Sequence, residues 1–101
     1  MTVVTVFRSR IRPQARAAYD ELAPKMSELA RSMPGYVSHK VFTADDGERV
    51  TIVEFDTMEN QRAWGRHPEH VAAQKRGRGE FYSEYDLKVC TIERHAKKTA
   101  G

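Results

Sequence analysis

Several features that would mark a secreted, membrane-spanning or nucleic-acid-binding protein are scarce in this sequence. The 101 residues hold one cysteine, Cys90, which excludes an internal disulfide framework and fits a reducing compartment. No segment approaches the roughly 18 consecutive apolar residues that span a bilayer. The opening MTVVTVFRSR has no charged stretch ahead of an apolar run, as a secretory leader would. Charge of one sign is also missing: Lys+Arg 17 against Asp+Glu 14 leaves a net +3, spread from Arg8 to Lys98 as a mixed, solvated surface. The densest basic run, Lys75 to Arg78, contains Gly77 and lies beside Glu80, a weak basis for phosphate or nucleic-acid binding. These absences describe a cytoplasmic protein with neither nucleic acid nor membrane as partner. Repeats and linkers are absent too. A chain of this size buries only about 60 to 68% of its unfolded surface. One domain with a modest core is expected over residues 1–94, and the polar, aperiodic residues 95–101 read as a disordered tail.

Periodicity supplies the elements. Val3–Ile11 alternates apolar residues with Thr, Ser and Arg and predicts a strand. Pro13 suits a first helical turn, and Tyr19, Leu22, Met26, Leu29 and Met33 draw one apolar stripe on a helix ending at Met33-Pro34-Gly35. Pro24 inside that helix predicts a kink. Tyr36–Thr43 and residues 50–56 flank Asp46-Gly47, whose glycine supplies the positive φ of a hairpin turn. Asp56-Thr57-Met58-Glu59 resembles a capping box with Asp56 in the cap, opening a second helix. Pro68 ends that helix and starts another over residues 68–75. Gly77 and Gly79 then release the chain into a last strand over residues 85–93.

The order β-α-β-β-α-β predicts an α+β, ferredoxin-like fold: a four-stranded antiparallel sheet with its helices on one face. Alternation puts Val3, Phe7 and Ile11 on one side of the first strand and Val4 and Val6 on the other. The third strand divides Val53 and Phe55 from Val50 and Ile52, and the last divides Leu87 and Val89 from Cys90 and Ile92. Helices cover one side only. A second copy, packed sheet against sheet, is the simplest cover for the other, so a two-fold homodimer closing into a barrel-like sandwich is expected.

The candidate site is concentrated in residues 60–85. Trp64, the chain's one tryptophan, has Asn60 one turn before it and His67 and His70 after it, an aromatic wall beside sparse polar groups as in small-molecule pockets. Each residue also has a purely structural role available. Trp64 suits a core anchor, Asn60 a first-turn support, and His70 a half-exposed helix position. His67, one residue before Pro68, suits a helix cap. Phe81, Tyr82 and Tyr85 read as packing at a helix-to-strand corner, and Cys90, within a strand, as a buried inert thiol. His67 and His70 are three apart, but no carboxylate or cysteine completes a metal set, so no metal is expected.

Pro34-Gly35-Tyr36, the hairpin GERVTIVEFD, the run AWGRHPEHVAAQKRGRGEFY, and Tyr85 with Val89-Cys90 together resemble the antibiotic biosynthesis monooxygenase domain family, the small dimeric α+β barrels, over residues 2–93. The same scaffold carries cofactor-free quinone-forming oxygenases and haem-degrading oxygenases. Members that oxidise polyketide anthrones without a cofactor use an Asn and a Trp four residues apart, which Asn60 and Trp64 reproduce. The Tyr that follows that Trp by six residues is here His70, and the Arg about twenty residues on is Glu84. Haem degraders use an Asn in the first strand and a ligating His ten residues after the Trp; this chain has Phe7 near the first position and Gln74 at the second. The resemblance thus implies a cofactor-independent monooxygenase in which Asn60, Trp64 and His70 are catalytic, with Trp64, His67 and Phe7 binding a small aromatic or polyketide-like substrate that reacts with molecular oxygen. The alternatives are a non-catalytic small-molecule-binding or structural dimer and, third, a haem-degrading oxygenase.

Overall fold

The structure, a computed structural model, describes residues 2–100. Strand β1 (Val3–Ile11) leads through a short 3-10 turn (Pro13–Ala15) into helix α1 (Arg16–Ser32). The missing N–H of Pro13 falls at the first turn, where it has no intrahelical acceptor to lose. Helix α1 runs unbroken through Pro24, whose nitrogen forgoes one bond to the carbonyl a turn earlier. Met33 caps the helix, and Gly35 takes φ +79°, the left-handed conformation that turns the chain into β2 (Tyr36–Thr43).

The hairpin from β2 to β3 (Arg49–Phe55) closes as expected over Asp46-Gly47, with Gly47 at φ +90° and its N–H donating to the Ala44 carbonyl at 2.9 Å. Helix α2 (Met58–Arg66) is capped one residue later than the sequence predicts. Thr57, not Asp56, is the cap, and its hydroxyl accepts from the Asn60 N–H at 3.1 Å. Helix α3 (Pro68–Arg76) continues into a π-helical turn (Gly77–Phe81) instead of dissolving at the glycines. The last strand, β4 (Tyr82–Thr91), therefore starts three residues before the predicted position and ends two residues before it. Gly77 is needed at that join, since a Cβ there would run into the ring of Tyr82. Residues 92–100 add no helix or strand, and the remainder of the predicted 95–101 tail, Gly101, lies outside the described residues.

All pairings are antiparallel and the strand order is β2-β3-β1-β4, the ferredoxin-like arrangement. Registers such as Phe7 opposite Leu87 and Thr5 opposite Val53 put Val3, Thr5, Phe7, Thr51, Val53 and Phe55 on the helix-covered face. The core sits there: Val3, Phe55 and Phe81 are almost fully buried, and Ala30, Phe55 and Trp64 form its centre.

Two surfaces depart from the two-face expectation. The open face mixes apolar and charged residues: Val4 stands opposite Glu54 and Cys90, Val6 opposite Ile52 and Lys88, and Val50 opposite Arg8. Arg8 pairs with Glu48 at 2.8 Å, and Arg10 with both Asp46 and Glu84 at 2.8 Å. Meanwhile the edge strand β4 leaves Tyr85, Leu87 and Val89, on the helix-covered face, between 40 and 53% exposed, because α1 and α2 pack over β2 and β3 at the other side of the sheet. Cys90 is exposed, not buried as expected: its strand lies at the sheet edge and its side chain on the face without helices.

Candidate functional site

Between the sheet and the helices lies a cavity of about 560 Å³, within the usual range for small-molecule sites. Its sheet wall includes Thr5, Phe7, Thr51 and Val53; α1 contributes Tyr19 and Met26, and the α2–α3 pair contributes Trp64 and His70. Among its lining residues, Tyr85 and Leu87 of β4 are half-exposed.

Trp64 and His70 are six residues apart and touch because the helix breaks between them. On a continuous α-helix, residues six apart lie about 240° round the axis and cannot meet. His67 is extended (φ −58°, ψ 129°) and Pro68 starts α3, so the chain folds back and lays the His70 ring flat on the indole. The centroids are 3.9 Å apart and the planes 11° from parallel. His70 Nδ1 stands 2.9 Å from the Trp64 carbonyl oxygen. A carbonyl only accepts, so Nδ1 carries the hydrogen and the neutral ring keeps its lone pair at Nε2. Burial lowers the His70 pKa from its ordinary value, opposed by the bond to Trp64 and assisted by the nearby His67. At neutral pH the ring is therefore an uncharged base with a fixed tautomer.

Trp64 is both wall and anchor. It is 7% exposed, packs with Ala30 and Phe55 in the core, and still contributes to the cavity lining. Phe7 lines the opposite wall, edge-on to Tyr82 at 5.2 Å. Asn60 and His67 lie outside the lining. The Asn60 amide donates to Asp56 Oδ1 at 2.8 Å, and both side chains occupy the space a Cβ at Gly35 would need. His67 Nδ1 accepts from the Glu69 N–H at 3.2 Å and caps α3, the structural role its place before Pro68 suggests. Among the described residues no three His, Cys, Asp or Glu side chains gather as a metal set. The cavity wall carries Gln74 where haem degraders have a ligating His, and an amide offers no lone-pair nitrogen to iron.

Among the lining residues that sequence reasoning did not assign to the site, four stand out for their chemistry. His39 faces inward from β2, with Nδ1 2.7 Å from Tyr36 Oη and Nε2 3.1 Å from Ser27 Oγ; desolvation, with Arg31 adding to it, lowers its pKa. Tyr19 reaches in from α1, and Tyr82 from β4 with its phenol pushed up to about 12 by burial and by Tyr19. Arg49 reaches in from β3. Alternation within β2 and β3 places His39 beside Val53 and Arg49 beside Thr51 on the inward side, a signal present in the sequence for two of the four.

The family model for antibiotic biosynthesis monooxygenases matches residues 2–76, about three quarters of the chain. The chain belongs to the antibiotic biosynthesis monooxygenase family. The match ends where α3 does, so the π turn and β4 fall beyond it. An uncharacterized Bacillus subtilis (strain 168) protein, YqjZ, is 30% identical over 89 residues, covering 88% of this chain and 78% of that protein. Among solved structures, Rv0793 from Mycobacterium tuberculosis superposes with a TM-score of 0.84 at 19% identity, covering 96% of this chain and 100% of that one. SnoaB, a cofactor-independent oxygenase from Streptomyces nogalater, superposes at 0.79 with 16% identity, covering 96% and 98%. At such identities these two structures establish the shared fold. No helix among the described residues is long and apolar enough to cross a membrane.

Proposed function

We propose that this chain is a cofactor-independent monooxygenase oxidising a small aromatic or polyketide-like compound with molecular oxygen. The observation that carries the reading is the His70 imidazole held on Trp64, with Nδ1–H bound to the Trp64 carbonyl and the side chain in the cavity wall. Family membership and the fold shared with SnoaB support it.

The chemistry asks little of the protein. For an anthrone-type methylene, Nε2 of His70 accepts a C–H proton and leaves an enolate. The enolate gives two electrons to oxygen, and a C–O bond forms. Loss of water completes the conversion of CH2 and O2 into C=O and H2O, with one oxygen atom retained. The substrate is the reductant. The protein supplies a base near neutral pH, an apolar cavity that excludes water, and donors for the developing oxyanion. Tyr82, un-ionised across the neutral range, suits such a donor. Trp64 holds the base in place, and Phe7 suits a stacking surface for the substrate rings.

The same reading includes a two-fold homodimer, favoured by the open-face cluster of Val4, Val6, Val50 and Ile52 and by uncovered Leu87 and Val89 on β4. It also includes a cytoplasmic setting, with which the exposed, unpaired Cys90 is compatible.

The test is oxygen uptake by metal-free protein against anthrones, naphthols and related phenols, with His70→Ala and Trp64→Phe as controls. Substrate-dependent uptake lowered by both changes supports the oxygenase. Uptake no faster than the uncatalysed rate across the panel overturns it in favour of a binding or structural dimer.

A further inference from the structure

Arg49 stands on the helix-covered side of β3, opposite buried Ser9 of β1, and lines the cavity. A cation at this position is unexpected, since the neighbouring inward residues of its strand are Thr51, Val53 and Phe55. Its guanidinium carbon lies 5.0 Å from the centroid of the Tyr19 ring, a cation–π contact. Its Nε is buried with no hydrogen-bond partner, and no carboxylate among the described residues pairs with it. Asp20, the acidic residue in the cavity wall, is engaged with Arg16 at 3.2 Å instead.

Buried N–H groups are rarely left unbonded, and a guanidinium cannot shed its charge to escape the cost. What invites a ligand is the charge itself, which lies in the cavity wall unpaired by any carboxylate of the described residues. The guanidinium's planar fork matches a carboxylate through two parallel bonds. With Nε closed off from solvent, the Nη end is the part that an incoming group reaches first. Around it, Phe7 and Tyr82 meet edge-on at 5.2 Å and Tyr19 and Tyr82 at 6.3 Å, an aromatic wall for a ring attached to that carboxylate.

We propose that Arg49 is the anion anchor of the cavity and that its ligand is an aromatic carboxylate, with the carboxylate on the guanidinium and the ring against Phe7, Tyr19 and Tyr82. The inference rests on this cavity being the substrate site and narrows the substrate class within it.

Calorimetric titration with 1-naphthoate and its neutral isostere 1-naphthamide tests the anchor without calling on catalysis. The unmodified protein is expected to bind the carboxylate about 10- to 100-fold more tightly, the range for a hydrogen bond to a charged group. Arg49→Gln is expected to abolish that preference while leaving naphthamide binding in place, and Arg49→Lys to retain part of it. Equal affinity for the two probes in the unmodified protein, or failure to bind either, overturns the proposal even if Arg49→Gln does not fold. A carboxylate preference that survives Arg49→Gln overturns it as well. Selective binding without oxygen uptake on any substrate would leave the anchor standing and remove the oxygenase.

Discussion

The imidazole of His70 lies flat on the indole of Trp64, 3.9 Å away, while its Nδ1–H is bound to the carbonyl of that same tryptophan. One residue thus fixes both the plane and the tautomer of the other. One face of the Trp64 indole is therefore covered by His70.

That arrangement sets the pH dependence. The His70 pKa is lowered by burial, so the basic form is already present below the ordinary imidazole range. Turnover is expected to rise with pH through an apparent pKa below about 6.5 and then to level off before neutrality. His70→Ala is expected to lower kcat by about 100-fold or more with a small change in KM. A raised KM at unchanged kcat would reassign His70 to binding.

Stability carries the same sign. A histidine whose folded pKa is depressed favours its neutral form in the fold, so its contribution is intact above the unfolded value of about 6.5 and is lost as pH falls through the folded pKa. His39, also depressed by burial, acts in the same direction. The melting temperature is expected to drop between pH 7 and pH 5 and, in a His39→Gln, His70→Gln double variant, to drop less. An equal drop in both proteins would show that other groups dominate.

Asn60 is tied to Asp56 and turned away from the cavity lining. Asn60→Ala is expected to cost about 0.5–1.5 kcal/mol of stability and to leave turnover within a few-fold of the unmodified protein. Loss of activity comparable to His70→Ala, with the fold intact, would give Asn60 a direct role.

Gly35 combines a positive φ with side chains of Asp56 and Asn60 where a Cβ would stand. Gly35→Ala should therefore destabilise by about 2 kcal/mol or more, through backbone strain and overpacking together. Denaturant unfolding measures it, and a change under about 0.5 kcal/mol would mean that the turn relaxes freely.

Sedimentation equilibrium at micromolar concentration is expected to give twice the chain mass. Val6→Glu, opposite Ile52 on the open face, should shift the protein toward monomer. A monomeric unmodified protein would contradict the homodimer.

The sequence by itself determined what depends on neighbours along the chain. Alternation, the apolar stripe from Tyr19 to Met33, Asp46-Gly47 and Pro68 each act over a few residues, so the element order, the hairpin and the helix break could be read directly, and with them the ferredoxin-like fold. Even the cap of α3 by His67 was visible in its place before proline. The errors came where two local signals compete or a distant contact intervenes. Thr57 outcompeted Asp56 for the cap, and the glycines after α3 extended a helical turn in which Gly77 leaves room for the Tyr82 ring. Only the tertiary structure decided which polar groups share the cavity. Asn60 and Trp64 are one turn apart on α2, yet a single amide bond to Asp56 turns Asn60 away. His39, Arg49 and Tyr82 come from three different strands and meet Trp64 and His70 only when the sheet closes against the helices. Convergence from segments far apart in sequence is fixed by strand order and register, which no local spacing records.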